Sequence, residues 1–189
     1  MPPKIVTFTG VSGSGKSTIV KELLQESDHF RLITSTTTRP PRSSDLPGEY
    51  EYWTPEQMEE DASLFIWKTE YVGHQYGTRY RVLNDAFVSP PTSLMILVPE
   101  VLPVLLHHYG SYVLPLYVRA PPEDLLRVRL LRRGDNPESI EQRLQTIPNW
   151  ERQATEWKIP YRMITNNGTI DEVVKQVKRE LERYVSSTS

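Results

Sequence analysis

The residues Gly10-Val11-Ser12-Gly13-Ser14-Gly15-Lys16-Ser17-Thr18 match the pattern G-x-x-x-x-G-K-S/T at every fixed position. Glycines at this spacing let a backbone wrap closely around a polyphosphate with its N–H groups turned inward. A helix beginning at the same place adds a partial positive charge. Lys16 then reaches the β- and γ-phosphates, and the Ser17 hydroxyl is the expected ligand of Mg²⁺. The alternative, a chance match in a Gly/Ser-rich turn, is disfavoured by the flanks. Ile5-Val6-Thr7-Phe8-Thr9 is β-branched and aromatic, as in a strand. Ser17 to Glu26 has helical spacing, with Ile19, Val20, Leu23 and Leu24 on one face.

A second constellation is Arg39-Pro40-Pro41-Arg42. A polyproline backbone makes about three residues per turn, so both guanidiniums leave on one side. Two pre-positioned Arg forks suit a dianionic phosphate. A proline-rich adaptor ligand or a solvated basic turn has the same composition.

The remaining elements must carry these two sets. Arg31-Leu32-Ile33-Thr34 is a short strand candidate, and Thr54-Pro55-Glu56-Gln57 reads as a capped helix start. Phe65 to Val72 reads as a strand turned by Gly73-His74 into Gln75-Tyr76-Gly77-Thr78. Residues 34–90 therefore look like an insert of short strands and a short helix. A regular series resumes with Leu94 to Val98, whose unbroken apolar run suits a buried parallel strand. Expected next are a helix over 100–108, a strand over 112–118 weakened by Pro115, and a helix opened by Pro121-Pro122-Glu123 and stopped by Gly134. Ile140 to Trp157 reads as helix interrupted at Pro148, and Tyr161 to Thr165 as the last strand. Thr169, with Glu172 three residues on, caps a final helix whose face is Ile170, Val173, Val174, Val177, Leu181 and Tyr184. Ser186 to Ser189 is expected to be disordered.

The chain of 189 residues suffices for one α/β domain with a real core. Its net charge of −2 gives no general attraction to nucleic acid or membranes. With no cysteine, disulfides and thiolate metal sites are excluded. Met1-Pro2-Pro3-Lys4 leads straight into the first strand, unlike a signal peptide, and no apolar run approaches a bilayer span. A cytoplasmic location is expected. His29, His74, His107 and His108 show no metal-ligand spacing.

The run Ser35-Thr36-Thr37-Thr38-Arg39-Pro40-Pro41-Arg42, then Gly48-Glu49-Tyr50 and Tyr76-Gly77-Thr78, resembles guanylate kinases in order and spacing. That resemblance implies a P-loop kinase of the α/β class: a central parallel sheet flanked by helices, with a small acceptor-binding insert and a helical lid. One domain over 1–189 is expected, with core 1–33, 91–131 and 147–185, insert 34–90 and lid 132–146. The resemblance implies that Arg39, Arg42, Tyr50 and Tyr76 hold the acceptor phosphate and that Ser35 and Thr78 approach its base. It makes Arg129, Arg133 and Arg143 lid cations, catalytic with Lys16 and Arg39. It puts Asn166 near the adenine of ATP, beside the loop set Gly10, Ser12, Gly13, Ser14, Gly15, Lys16, Ser17 and Thr18. The cofactors implied are ATP and Mg²⁺. The partner implied is a small phosphate acceptor, with no nucleic acid or membrane, in a monomer or homodimer.

Two family positions differ. Where guanylate kinases carry a guanine-reading glutamate, alignment on Gly73 and Tyr76 places Trp67. Glu70 lies three residues on, facing the other way by strand alternation unless a bulge intervenes. The family's aspartate pair after the middle strand is replaced by Ile96-Leu97-Val98-Pro99-Glu100, with Glu100 the nearest acid. GMP or dGMP leads as acceptor. Another or modified nucleotide, ribose 1,5-bisphosphate, or a non-catalytic guanylate-kinase-like binding module are the alternatives.

Overall fold

The computed structural model describes residues 3–88 and 91–187. Its core is a five-stranded, wholly parallel sheet: β1 (Ile5–Thr9), β2 (Phe30–Leu32), β7 (Thr92–Ile96), β8 (Val113–Val118) and β9 (Arg162–Ile164), in the order β2-β7-β1-β8-β9. Parallel strands need crossover helices, and their two faces divide the apolar residues. On one face Val6, Phe8, Leu94, Leu114, Leu116 and Val118 meet α1 (Lys16–Glu26) and α7 (Ile170–Ser187). On the other, Ile5, Met95 and Val113 meet α3 (Tyr80–Val88) and α4 (Leu102–Tyr109).

β1 lies centrally, and the chain leaves its carboxyl end directly into the phosphate-loop motif. The ends of β7, β8 and β9 open on the same side, because every strand runs parallel to β1. That edge is where open α/β sheets bind ligands.

The insert folds as a second sheet of four strands: β3 (Ser35–Thr37), β4 (Tyr50–Tyr52), β5 (Phe65–Tyr71) and β6 (His74–Arg79), in the order β4-β3-β6-β5. Thr54 begins α2 (Pro55–Glu60) with a complete capping box: its hydroxyl accepts from Gln57 N–H and the Gln57 side chain accepts from Thr54 N–H. α5 (Glu123–Arg132) stops at Gly134, which has φ 86°, and α6 (Pro137–Glu156) follows.

Several expectations shift. The Arg31–Thr34 strand becomes β2 over 30–32, with β3 a separate strand of the insert sheet. α3 was not foreseen within the insert; it buries Leu83 and Ala86. β7 ends at Ile96; the Leu97 N–H still donates to the Phe8 carbonyl of β1 at 3.2 Å, and Leu97 and Val98 line the cavity at the ligand edge. Pro115 sits within β8, at a register before β9 joins that strand at Leu116, so its missing N–H removes nothing from the β8–β9 ladder. Helix α6 runs through Pro148 without a break, held by the buried side chains of Ile140, Leu144, Trp150 and Ala154 along it. Ser186 and Ser187 continue α7 and are not disordered; Thr188 and Ser189 lie outside the described residues. Thr169 and Glu172 form the expected reciprocal cap, with Thr169 N–H donating to the Glu172 carboxylate at 2.8 Å.

Candidate active site

A cavity of about 550 Å³ opens along the carboxyl edge of the parallel sheet and extends under the insert. Its floor is the loop joining β1 to α1. Gly10, Ser12, Gly13, Gly15, Lys16, Ser17 and Thr18 line it. Two glycines are obligatory there. Gly10, at φ 141°, is so close to the end of β8 that a Cβ would overlap the Val118 carbonyl oxygen. Gly15, at φ 102°, would overlap the Asn166 amide nitrogen. Ser14 differs from its neighbours: its hydroxyl is buried, lacks a hydrogen-bond partner and does not line the cavity. Its contribution is the backbone, where its carbonyl accepts from Asn166 Nδ2–H at 2.7 Å. Asn166 thus lines the cavity and braces the loop from the end of β9.

Lys16 Nζ donates to the carbonyls of Gly10 at 2.6 Å and Val11 at 2.9 Å, curling over its own loop. Burial pushes its pKa down to about 7, with Arg133 and Arg143 adding to the fall and Glu49 opposing it. A phosphate chain laid in the loop supplies the opposing charge that this lysine lacks.

A second wall of the cavity, where the sequence places an acceptor phosphate, comes from the insert. Arg39 is 5% exposed; its guanidinium donates to Asp45 at 2.8 Å and stacks 5.1 Å from the Tyr50 ring centre. Arg42 is exposed and also lines the cavity, so both guanidiniums of the Arg-Pro-Pro-Arg turn face one space. Although Arg42 is exposed as a whole, partial desolvation of its guanidinium and then the like charges of Arg39, Arg133 and Arg143 lower its pKa, which marks surplus positive charge at the site. Tyr50 and Tyr76 line the same wall with ring centres 6.2 Å apart. Burial holds the Tyr50 phenol protonated far above neutral pH, with the Glu49 carboxylate beside it, so it is a neutral hydrogen-bond donor in the wall.

Cations from α5 and α6 close the space between the two sides. Arg129 reaches the Gly13 carbonyl at 3.5 Å, Arg133 donates to the Ser12 hydroxyl at 3.1 Å, and Arg143 is 8% exposed; all three line the cavity. The Arg133 guanidinium is also paired with Asp135. The four-residue spacing from Arg129 to Arg133, the C-cap of α5, is about one helical turn and puts two guanidiniums on one face.

The base-side residues divide. Ser35 lines the cavity, but Thr78 is fully buried behind it, its hydroxyl 3.0 Å from that of Ser35. Trp67 lines the cavity and Glu70 does not: Glu70 is exposed, on the face of β5 shared with Lys68. A β-bulge does occur in β5, between Phe65 and Trp67, ahead of both residues, so it leaves their opposed orientation intact. Glu70 is therefore withdrawn as a substrate-binding residue. Glu100 is exposed and outside the cavity lining, whereas Ile96, Leu97 and Val98 line it.

Tyr71, Trp150 and Glu49 were missed from the sequence. Tyr71 and Trp150 line the cavity with ring centres 5.8 Å apart. Glu49 is 6% exposed, accepts from Leu46 N–H at 2.9 Å, and has its pKa raised by burial. Tyr71 belongs to the same strand face as Trp67, so alternation extended from Trp67 finds it; nothing in the sequence distinguishes Trp150 from a core residue.

The guanylate kinase family model matches residues 3–184. The chain belongs to the guanylate kinase family. Among its relatives, the guanylate kinase of Thermobifida fusca is 36% identical over 154 residues, covering 77% of this chain and 76% of that one. The guanylate kinase of Gloeobacter violaceus is 35% identical over 147 residues, covering 75% and 70%. The solved guanylate kinase of Anaplasma phagocytophilum superposes with a TM-score of 0.71 at 19% identity, covering 96% of this chain and 86% of that one. A gluconokinase from Sinorhizobium meliloti reaches 0.55 at 17% identity, covering 99% and 95%, the likeness of a shared fold.

The site tolerates the ligands this family implies to different degrees. The loop fits a nucleotide polyphosphate, since its glycines leave no room for side chains and its lysine donates to backbone carbonyls while two nearby arginines outweigh Glu49. For Mg²⁺ the Ser17 hydroxyl faces the cavity, and no cluster of three or more acidic or histidine ligands exists among the described residues. Mg²⁺ is commonly held by substrate phosphates and water with few protein ligands, so one hydroxyl beside the nucleotide is compatible with it. No helix among the described residues is long and apolar enough to cross a membrane.

Proposed function

We propose that the protein transfers the γ-phosphoryl group of ATP to the 5′-monophosphate of a nucleoside, giving ADP and the nucleoside diphosphate, with GMP or dGMP the leading acceptor by family. One observation carries this reading: two separate phosphate-binding sets, Lys16 with its loop and Arg39–Arg42 with Tyr50 and Tyr76, face a single cavity with three further arginines between them. That is the layout of a reaction between two phosphates, not of a simple nucleotide binder.

An acceptor phosphate oxygen attacks the γ-phosphorus, forming the new P–O bond as the bond to ADP breaks. No protein nucleophile is needed. Lys16 carries charge on the β- and γ-phosphate oxygens; Arg39 and Arg42 orient the acceptor and offset its repulsion by the incoming phosphate. Arg129, Arg133 and Arg143 neutralise charge spreading over the transferred group and exclude water that would otherwise be the acceptor. Mg²⁺, held at Ser17, would further neutralise the β- and γ-oxygens.

The Lys16-Ser17 pair disfavours a non-catalytic binding module, because a scaffold has no use for a cation withdrawn over its own loop. A coupled assay of ADP release with Mg-ATP and GMP tests the proposal. Steady turnover, abolished in Lys16→Ala, supports it; ATP binding without turnover of any monophosphate overturns it.

A further inference from the structure

One stretch of the cavity wall is aromatic and apolar, with Arg133 and Arg143 close enough to Tyr71 to favour its ionised form. Trp67 and Tyr71 come from alternate positions of β5, Val98 from beyond β7, and Trp150 from α6. They are contiguous. Trp67 packs in the cluster with Leu97, against which Tyr76 and Val98 lie. Val98 also packs against the cluster that holds Trp150 and borders Tyr71. An apolar, aromatic wall thus runs from the acceptor-phosphate tyrosine Tyr76 round to the lid helix.

Resting on the kinase reading, we propose that this wall is the seat of the acceptor's base, held by stacking and apolar contact and not read at its hydrogen-bonding edge. The acceptor class is then a flat nucleobase 5′-monophosphate of broad identity, in which guanine has no privilege. The chemistry is specific. The pairing edge of guanine presents N1–H and 2-amino donors beside the O6 acceptor, and the two donors need acceptors from the site. The two carboxylates that line the cavity are engaged elsewhere. Asp45 accepts from Arg39 at 2.8 Å, from Arg42 N–H at 2.7 Å and from Tyr52 O–H at 2.8 Å. Glu49 is buried against the Leu46 amide. The Ser35 and Thr78 hydroxyls are bonded to one another. His74, at the β5–β6 turn, lines the cavity as well, and a neutral imidazole offers a single acceptor. An indole offers one donor and a π-face, and π-faces accept every base. Discrimination between bases comes from sites that hydrogen-bond a particular edge, and it disappears when those groups are absent. Trp67, Tyr71 and Trp150 are therefore the specificity-determining residues, acting by direct contact with the base.

The test uses binding and turnover on the full chain. Quenching of tryptophan fluorescence is titrated with GMP, AMP, dTMP and CMP, with ribose 5-phosphate as the probe lacking a base. ADP release is measured with the same set. The expected result is dissociation constants for the four nucleotides within about tenfold of each other, and each at least roughly tenfold below that of ribose 5-phosphate, as expected of base–aromatic stacking. Trp67→Leu, apolar and able to fold, should bring the nucleotides to the level of ribose 5-phosphate while leaving the KM for ATP unchanged. Trp150→Phe should retain the base advantage. Trp67→Glu should create a preference for GMP. GMP bound more than about a hundredfold tighter than AMP overturns the inference, as does ribose 5-phosphate binding as tightly as the nucleotides. Base-tolerant binding without turnover leaves this inference standing and removes the kinase reading; turnover of GMP alone does the reverse.

Discussion

Asn166 Nδ2–H donates to the Ser14 carbonyl at 2.7 Å, and a Cβ on the next residue, Gly15, would occupy the place of that same nitrogen. The phosphate loop is thus clamped between its own helix and the end of β9. Its shape depends on a residue distant in sequence, a coupling that the loop motif alone does not contain.

Gly15→Ala tests the clamp. The substitution combines a left-handed backbone, φ 102°, with a steric overlap at Asn166. Backbone strain of this kind costs about 1–3 kcal/mol, and the loop must shift to relieve it. The expected outcome is a lower Tm and an ATP affinity weakened by roughly tenfold or more. Differential scanning calorimetry and ATP titration check both; unchanged ATP binding would show that the loop's form is not set here.

Arg39→Ala and Arg42→Ala separate the two phosphate sets. Both side chains line the cavity from the insert, whereas Lys16 and its glycines line it from the β1–α1 loop proposed to take ATP. Charge-assisted hydrogen bonds are worth about 1.5–3 kcal/mol each, so the KM for the acceptor should rise roughly tenfold to a hundredfold while the KM for ATP holds. Arg39→Ala also removes the cation paired with Asp45, leaving it the Arg42 amide and the Tyr52 hydroxyl, so it should be the less stable of the two in urea. Equal losses in ATP and acceptor use would assign these arginines to the donor.

The sequence made the fold and the phosphate groups legible for one physical reason: both are written in local patterns. The loop motif lies between an apolar strand and an amphipathic helix, and the arginines lie three residues apart on prolines. The insert was harder. Its strands of three residues, β3 and β4, are too short for a period to declare itself, and α3 buries only Leu83 and Ala86. Pro148 signalled a helix break that packing overrode, since side chains on both sides of it are buried. Trp67 against Glu70 was decided by alternation along β5, which survives because the bulge precedes both. Trp150 was invisible: it reaches the cavity only through the way α6 crosses the ends of the strands, a tertiary fact.

Asp45 gives an acid signature. Burial alone would raise its pKa, but the hydrogen bonds from Arg39, the Arg42 amide and Tyr52 outweigh it and hold the carboxyl below its ordinary 3.8. A depressed carboxylate contributes stability that is present above the unfolded-state pKa and is lost as pH falls through the folded-state value. Asp45→Asn should therefore be less stable than the native protein at neutral pH, and the gap should narrow as pH falls below the ordinary 3.8. Urea unfolding at the two pH values measures it. A gap that persists in acid would mean that the loop is held by geometry and not by this charge.

Lys16 gives the opposite linkage and a direct probe of ATP. Its pKa is about 7 in the free protein against an ordinary 10.5, lowered first by burial. Holding a proton there is unfavourable in the folded state, so the lysine destabilises the fold fully below pH 7, and this penalty fades as pH rises from about 7 towards 10.5. Lys16→Met should accordingly raise Tm at pH 6.5 by several degrees and give little gain near pH 10. Bound phosphates supply the counter-charge and return the proton. At about pH 8, where ATP itself is fully ionised, binding should take up a proton approaching one per site, and ATP affinity should weaken as pH rises further. Calorimetry in buffers of different ionisation enthalpy reads that uptake, and Lys16→Met should abolish it. A buffer-independent heat at pH 8 would show that Lys16 is already charged over its loop, and that its withdrawal onto the Gly10 and Val11 carbonyls holds an ammonium and not an amine.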